Sequence, residues 1–311
     1  MVRFIHQNIH RISVEADCAE RRIIRGNRAT TEVKPLVTPF PNHATLESVL
    51  DVAARAPSSG NLQPWRWRVD GSAVHLYVDW RRQAGGLPTD RRDALLGCGA
   101  VLDHCVVALS AAGWSPRVRR FPDGGGNSHL AALEVVEQLP TAAQLELAAA
   151  IPRRRADLRR YPPLRIPPAT LEMLVVRAAR LGVDLAIVPR SRWVRHEDGS
   201  VALHFSESAG EPDDDAVLLV LGTREDNDAM RLRAGEALSH ITLTATAMDL
   251  ATCPLTEPLN DMRSRLELAC EVFDGAAHPQ ALIRLGLPPV GDAPQPMTER
   301  RTVDETTDWT N

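Results

Sequence analysis

The chain has 311 residues, of which 44% are hydrophobic and 24% charged, and its formal net charge is −4. This composition is typical of a soluble globular protein and excludes a disordered one. The negative charge argues against nucleic acid or an anionic membrane surface as a partner. The N-terminus lacks the apolar stretch of a signal peptide, and no apolar run approaches the roughly 20 residues of a membrane span. We therefore expect a cytoplasmic protein.

The cysteines and histidines do not indicate a metal site. The five cysteines, at positions 18, 98, 105, 253 and 270, include no C-x-x-C pair. The ten histidines are dispersed and form no H-E-x-x-H pattern. Because zinc enzymes carry such spacings, we expect no metal. A P-loop sequence is also missing, so a nucleoside triphosphate site is not expected.

The first readable element is an amphipathic helix over residues 44–56, which leads into the loop Pro-Ser-Ser-Gly-Asn-Leu-Gln-Pro-Trp at 57–65. The two prolines of the loop disfavour a helix there, and Gly60 allows a ligand to approach the main chain. The hydroxyl and amide side chains suit a planar ligand with polar edges. Alternatively, they only cap the neighbouring helix and strand.

Two strands, over 65–69 and 74–79, flank an Asp-Gly-Ser turn and predict a hairpin. Trp65 and Trp67 alternate with arginines, so we expect the tryptophans to pack in the core. A long helix rich in small residues follows over about 93–113. On it, Cys98 and Cys105 lie a heptad apart and are predicted to be buried thiols.

The second part of the chain repeats features of the first. The sequence Ala-Thr-Leu-Glu at 44–47 recurs at 169–172, an offset of 125 residues. Gly99 and His104 recur as Gly235 and His240, an offset of 136, on a second long helix over about 227–250. The order of features predicts a tandem duplication. The larger offset places an insertion in the acidic stretch 196–215, which is either a surface loop or a flap over a ligand.

The helix, the loop at 57–65 and the strand after it together resemble the flavin-binding loop of the nitroreductase superfamily. Two further segments, residues 93–104 and 250–256, resemble the Acg-type proteins of mycobacteria and other actinobacteria. The resemblance covers roughly residues 44–135 and 150–303. It implies an α+β nitroreductase-like fold that uses flavin mononucleotide (FMN) as cofactor and NAD(P)H as electron donor.

Nitroreductase-like proteins are usually homodimers, so the resemblance and the repeat together imply a tandem-duplicated pseudo-dimer of two small sheets flanked by helices. We expect an N-terminal arm over 1–40, halves over 41–145 and 146–303, and a tail over 304–311. The second half has no copy of the loop after its first helix, so one FMN site per chain is expected. Arg21, Arg22 and Arg25, in the arm, would then be a vestigial phosphate clamp. The fused chain is either a monomer or a homodimer.

The resemblance assigns roles to individual residues. The ring edge and the ribityl chain are expected to contact the loop residues Pro57, Ser58, Ser59, Asn61 and Gln63. The phosphate is expected to bind Arg155 and Arg159, which lie four residues apart and would share one face of a helical turn. A further phosphate contact is expected from Arg300 or Arg301.

The segment of Cys253, Pro254, Leu255 and Thr256 is expected to face flavin atoms N5 and O4, with the backbone N–H of Thr256 stabilising charge at N5. No catalytic side chain is expected because the flavin carries the chemistry. The implied function is an oxidoreductase that reduces a small conjugated acceptor, such as a nitroaromatic or a quinone.

Two alternatives stay open at this level. The protein could sequester or store FMN with little NAD(P)H turnover, or it could be a flavin-free protein that acts as an interaction partner. Neither the loop nor the arginines distinguish turnover from storage.

Overall fold

The computed structural model describes residues 39–82, 88–125, 127–163, 165–205, 215–291 and 297–310, which lie in one unit, Thr38–Asn311. The predicted arm and its arginines lie outside the described residues, apart from residues 39 and 40. Residues 206–214 of the acidic stretch at 196–215 also lie outside them, so the flap stays a prediction.

The first sheet has five strands in the order β11-β1-β2-β4-β3, with β11 parallel to β1 and the other neighbours antiparallel. Trp65 and Trp67 on β1 are 0% and 1% exposed, which confirms that they pack in the core. The strands are β1 (Trp65–Val69), β2 (Val74–Val78), β3 (Trp114–Arg120), β4 (His129–Glu137) and β11 (Thr307–Trp309).

The predicted hairpin between β1 and β2 is confirmed, and Asp70 organises its turn. The Asp70 carboxylate accepts hydrogen bonds from the backbone N–H groups of Ser72 and Ala73, both at 2.9 Å. Burial opposes ionisation of this carboxyl, but these bonds and those from the side chains of Ser72 and His75 lower its pKa to about 2.

The second sheet is antiparallel, with the strand order β5-β8-β10-β9. Its two central strands are almost wholly buried. One is a nearly continuous run of apolar residues, and the other also buries the side chains of Gln280 and Arg284. A short separate hairpin of β6 and β7 overlaps the beginning of the stretch 196–215, because its turn and β7 lie within that stretch. These strands are β5 (Asp184–Ile187), β6 (Trp193–Arg195), β7 (Val201–Leu203), β8 (Val217–Thr223), β9 (Ala251–Leu255) and β10 (His278–Gly286).

Seven helices flank the sheets in the described part of the chain. Asparagine side chains cap two of them at their N-termini, Asn42 for the first and Asn227 for the fifth. The helices are α1 (His43–Ala53), α2 (Pro88–Ala111), α3 (Ala142–Ala150), α4 (Pro168–Arg180), α5 (Asp228–Ala247), α6 (Met262–Phe273) and α7 (Val303–Thr306).

The long helices α2 and α5 cross in backbone contact at two glycines. A Cβ atom on Gly99 would lie 2.0 Å from the carbonyl oxygen of Leu232, and one on Gly235 would lie 2.1 Å from that of Leu96. The glycines therefore allow an approach that no other residue permits. This arrangement confirms the α+β class and the two small sheets joined through long helices. The duplication that would explain it stays a prediction.

The expectation that no apolar run approaches the length of a membrane span is wrong for helix α2. Over the described ranges, Arg91–Ala111 is the one helical stretch long and apolar enough to cross a membrane, with a mean hydropathy of 1.8, and 89% of its most apolar window is buried inside the protein. Such burial is typical of a core helix.

The prediction of a tail after residue 303 is wrong for the described residues. Thr302 and Glu305 form a capping box that starts α7, and β11 then extends the first sheet alongside β1. The guanidinium of Arg66 pairs with Asp308 at 3.0 Å. The polar residues of β11 do not predict a strand, because the strand depends on backbone pairing with β1. The predicted boundary between residues 145 and 146 also falls inside α3, because that helix continues to Ala150.

Candidate cofactor-binding site

A cavity of ≈ 490 Å³ lies where segments distant in sequence meet. The loop after α1 and the start of α2 form one part of its wall, and the segment before α4 together with the end of β9 and the residues after it forms another. The C-terminal segment completes it. The predicted residues that line it are Pro57, Ser58, Ser59, Asn61, Arg155, Cys253, Pro254, Leu255, Thr256 and Arg300.

The loop after α1 is held in a compact conformation. Gly60, Asn61 and Gln63 have φ values of 54°, 55° and 50°, in the left-handed region that favours glycine and tolerates asparagine. The hydroxyl oxygen of Ser58 accepts a hydrogen bond from the backbone N–H of Gln63 at 3.0 Å. Beneath the loop, a Cβ on Gly97 would lie 3.2 Å from that of Ser58. The loop is therefore preformed against α2.

The C-terminal segment is tied to this loop by amide side chains. Asn61 donates to the carbonyl of Glu299 at 2.9 Å and accepts from Arg300 at 2.9 Å. Gln63 accepts from the backbone N–H of Arg301 at 2.8 Å. Gln63 is 4% exposed and does not line the cavity, so its observed role is to hold the segment in place.

Of the two candidate C-terminal arginines, Arg300 and Arg301, one lines the cavity and the other does not. Arg300 lines the cavity, whereas the guanidinium of Arg301 donates to the carbonyl of Glu305 at 2.6 Å and does not line it. Burial lowers the pKa of Arg300, and the nearby charge of Arg55 lowers it further. Of the two, Arg300 is the one placed to contact a ligand.

Arg154 is a cavity residue that the sequence analysis missed. Its side chain is 4% exposed and donates through Nη2 to the carbonyl of Arg55 at 3.0 Å. Its Nε and Nη1 atoms are buried without a hydrogen-bond partner. Burial lowers the pKa of Arg154 to about 10, and the charge of Arg300 contributes. Buried donors of this kind indicate a site for an anionic group.

The helical turn predicted for Arg155 and Arg159 is wrong. Ala156 forms a parallel bridge to Thr252 on β9, so the backbone is extended there. In that conformation the guanidinium of Arg159 bonds the carboxylate of Asp157 at 2.9 and 2.6 Å, and Arg159 does not line the cavity. The prediction chose Arg155 and Arg159, whereas the two arginines of this segment that line the cavity are Arg154 and Arg155.

A side chain of α2 holds the segment after β9 in place by hydrogen bonds. Arg92 is 1% exposed and donates to the carbonyls of Thr256 at 3.2 Å and Leu259 at 2.9 Å. The backbone N–H of Thr256, predicted to face N5, donates here to the side chain of Glu257 at 3.1 Å. Burial raises the pKa of the Cys253 thiol to about 12, so this thiol is neutral at physiological pH.

No protein-family model matches the chain. Two proteins of Mycobacterium tuberculosis resemble it over most of its length. "Putative NAD(P)H nitroreductase Rv3131" is 38% identical over 88% of this chain and 93% of its own length. "Putative NAD(P)H nitroreductase acg" is 32% identical over 84% of this chain and 94% of its own length. The chain belongs to the Acg-type group of the nitroreductase superfamily. The family predicted from the loop at 57–65 is thus confirmed.

The fold of this Acg-type chain has a counterpart among solved structures. A crystal structure described as a "putative nitroreductase" from Anabaena variabilis superposes with a TM-score of 0.55 at 11% identity. The match covers 82% of this chain and 91% of that one. At this identity the likeness shows the nitroreductase fold alone.

A second cavity residue missed by the sequence analysis is Asp93, on α2. Its carboxylate accepts a hydrogen bond from the hydroxyl of Thr256 at 2.9 Å and faces Arg92 at 3.3 Å. The signal for it was present, because Asp93 begins the Acg-like run at 93–104. Sequence alone does not tell which residues of an α-helix face a cavity.

Proposed function

We propose that this Acg-type chain binds one FMN in the cavity and is an oxidoreductase that uses NAD(P)H to reduce a small conjugated acceptor, nitroaromatic or quinone-like. The observation that carries the proposal is the pair of unpartnered, buried nitrogens of Arg154 beside Arg155 and Arg300. A phosphate supplies the acceptor oxygens that these donors lack.

The residues present fit the phosphate group. Leaving buried donors without a partner costs about 1–3 kcal/mol each, so Arg154 is destabilising unless an acceptor reaches it. Guanidinium groups match phosphate oxygens in geometry and charge. Arg154 and Arg155 both line this cavity, next to Ala156, whose backbone pairs with Thr252 on β9.

The remaining wall fits a planar ring. Pro57, Ser58 and Ser59 come from the first half of the chain, and Pro254 and Thr256 come from the second. FMN, when bound, supplies the hydride-transfer chemistry, and the chain supplies binding and orientation. For the Thr256 N–H to contact the ring, the carboxylate of Glu257 has to release it. The names of the two M. tuberculosis relatives support NAD(P)H as the electron donor.

The binding part is tested by titrating the apoprotein with FMN while following flavin fluorescence. We expect Arg154→Ala to weaken FMN binding by about 10- to 100-fold, since a hydrogen bond to a charged group contributes about 1.5–3 kcal/mol. Arg153→Ala is the matched control, because the neighbouring Arg153 pairs with Asp249 at 2.8 Å and does not line the cavity. Equal FMN affinity in both variants would contradict the phosphate assignment.

The redox part is tested by anaerobic stopped-flow mixing of the FMN-loaded protein with NADPH or NADH. We expect the flavin absorbance to bleach and to recover when a quinone or nitroaromatic acceptor is added. A flavin that stays oxidised for minutes with both nucleotides overturns the oxidoreductase assignment. That outcome would favour FMN sequestration.

A further inference from the structure

Two histidines face each other on the first sheet, and neither of them lines the cavity. His75 lies on β2 and His129 on the neighbouring strand β4. The Nδ1 atom of His75 and the Nε2 atom of His129 are 3.1 Å apart. Because 54 residues separate the two histidines along the chain, the sequence spacing does not indicate the pair.

A carboxylate holds the other ring nitrogen of each histidine. His75 Nε2 lies 3.0 Å from Asp70 Oδ2, and His129 Nδ1 lies 2.8 Å from Asp123 Oδ2. Burial opposes ionisation of Asp70, but its hydrogen bonds lower its pKa to about 2, and the hydrogen bond with His129 lowers the pKa of Asp123. An ionised carboxylate only accepts hydrogen bonds, so these two ring nitrogens carry the protons.

The two inner nitrogens therefore present lone pairs to each other. Two facing lone pairs repel, so a cation has to lie between them, either a shared proton or a metal ion. Histidines that bind metal commonly donate their second ring N–H to a carboxylate, which fixes the tautomer and the direction of the free nitrogen. Both His75 and His129 have this arrangement.

The distance between the inner nitrogens also fits a metal ion. With metal–nitrogen bonds of about 2.0–2.1 Å, a separation of 3.1 Å gives an angle of about 98° at the metal. This angle lies between those of square-planar and tetrahedral coordination, the geometries that copper, nickel and zinc adopt with imidazole ligands.

The surroundings fix the two rings and supply charge. The ring of His129 stacks on that of Tyr77, with centroids 4.5 Å apart and planes at 15°. Asp70 is anchored in the hairpin turn by the backbone N–H groups of Ser72 and Ala73. The two carboxylates together carry two negative charges, which balance the charge of a divalent cation.

We propose that His75 Nδ1 and His129 Nε2 form a binding site for a divalent transition-metal ion, such as zinc, that links β2 to β4. Among the described residues, no group of three or more histidine, cysteine, aspartate or glutamate side chains is placed to hold a metal. The site therefore has two protein ligands, and water completes the coordination. Such an ion exchanges with the solution and stabilises the first sheet. The inference is independent of the proposed FMN function.

The experiment titrates the full-length protein, freed of metal with a chelator, with ZnCl₂ in a calorimeter. We expect the wild type to have one site per chain that binds zinc and does not bind magnesium, because magnesium prefers oxygen ligands. His75→Ala and His129→Ala each remove one of the two ligands. Each should lower the zinc affinity by at least about tenfold, since even the loss of a carboxylate behind a ligand costs about 10- to 100-fold.

Two further variants separate ligation from general effects on the fold. Asp123→Asn keeps both ligands but removes the carboxylate that orients His129, so we expect zinc affinity to fall by about tenfold or more. The Asp123 side chain is 56% exposed, so this change leaves the core intact. The matched control is His278→Ala, because His278 is an exposed histidine at the start of β10, and it should bind zinc as the wild type does.

Urea unfolding provides a second measurement. A ligand that binds only the folded protein stabilises it, so zinc should raise the urea midpoint of the wild type and of His278→Ala. The midpoints of His75→Ala and His129→Ala should stay unchanged on adding zinc. Circular dichroism establishes that each variant is folded.

The inference is overturned if the wild type binds no zinc, because a shared proton then holds the histidine pair. It is also overturned if His75→Ala and His129→Ala bind zinc as tightly as the wild type, or if magnesium binds equally well. FMN titration of His75→Ala distinguishes this inference from the proposed function. Because His75 lies outside the cavity wall, the FMN affinity of this variant should match that of the wild type.

Discussion

Replacing Gly99 by alanine places a methyl group between α2 and α5 at their crossing. Its Cβ would lie 2.0 Å from the carbonyl oxygen of Leu232 and 2.9 Å from the Cα atom of Gly235. Ordinary van der Waals contact begins at 3.4 Å, so the first distance is about 1.4 Å too short. Both neighbours are backbone atoms, so no side-chain rotation relieves the clash and the helices have to separate.

Whether Gly99→Ala raises or lowers the free energy of unfolding is informative, because alanine is favoured over glycine inside a helix by about 1 kcal/mol. Without the close contact, Gly99→Ala would stabilise the protein by that amount. Overpacking a core costs about 1–3 kcal/mol, and a clash between backbones belongs at the upper end or above it. We therefore expect a net loss of at least about 2 kcal/mol in the free energy of unfolding.

Urea unfolding followed by tryptophan fluorescence measures this loss. Gly71→Ala is the control, because Gly71 lies in the hairpin turn and a Cβ there would have no atom within 4 Å. It should change stability by less than about 0.5 kcal/mol. Leu96 and Leu238 lie on these helices and line the cavity, so Gly99→Ala should also weaken FMN binding. If Gly99→Ala is as stable as the wild type or more so, α2 and α5 do not cross in backbone contact at Gly99.

Three further predictions concern other parts of the molecule. Iodoacetamide at pH 8 should alkylate the exposed Cys270 and leave the buried Cys253 unmodified, which peptide mass spectrometry measures. Prompt labelling of Cys253 would contradict its burial. Hydrogen bonds in the hairpin turn lower the pKa of Asp70 to about 2, so its stabilisation is present above pH 4 and is lost as the pH falls toward 2. Because this side chain is 37% exposed, Asp70→Asn should remove only about 1 kcal/mol of that acid dependence in pH-dependent urea unfolding, and an unchanged acid limb would contradict the assignment. A chain ending at Thr302 lacks both α7 and β11 and should have a lower melting temperature than the full chain, whereas a free tail would leave it unchanged.

Local sequence signals predicted the elements that depend on nearby residues. The helix, loop and hairpin around residues 57–65 carry their own turn chemistry, and the paired tryptophans of β1 alternate as a half-buried strand requires. The resemblance then brought the loop and the Thr256 segment to one site. Both line the same cavity in the structure.

The features that sequence did not predict depend on contacts between distant residues. Arg154 lies in the cavity wall two residues before Ala156, which pairs with Thr252 on β9, and nothing near Arg154 in sequence indicates that pairing. Likewise, β11 is a strand because β1 offers it a parallel edge. Its own three residues are too few and too polar to show the pattern.

We propose that one cavity per chain binds FMN through its phosphate at Arg154. The most direct test is a calorimetric titration of the apoprotein with FMN and with riboflavin, which lacks the phosphate. We predict one FMN per chain and an affinity for riboflavin at least about tenfold lower. No binding, two sites per chain, or equal affinities for the two flavins would contradict the account.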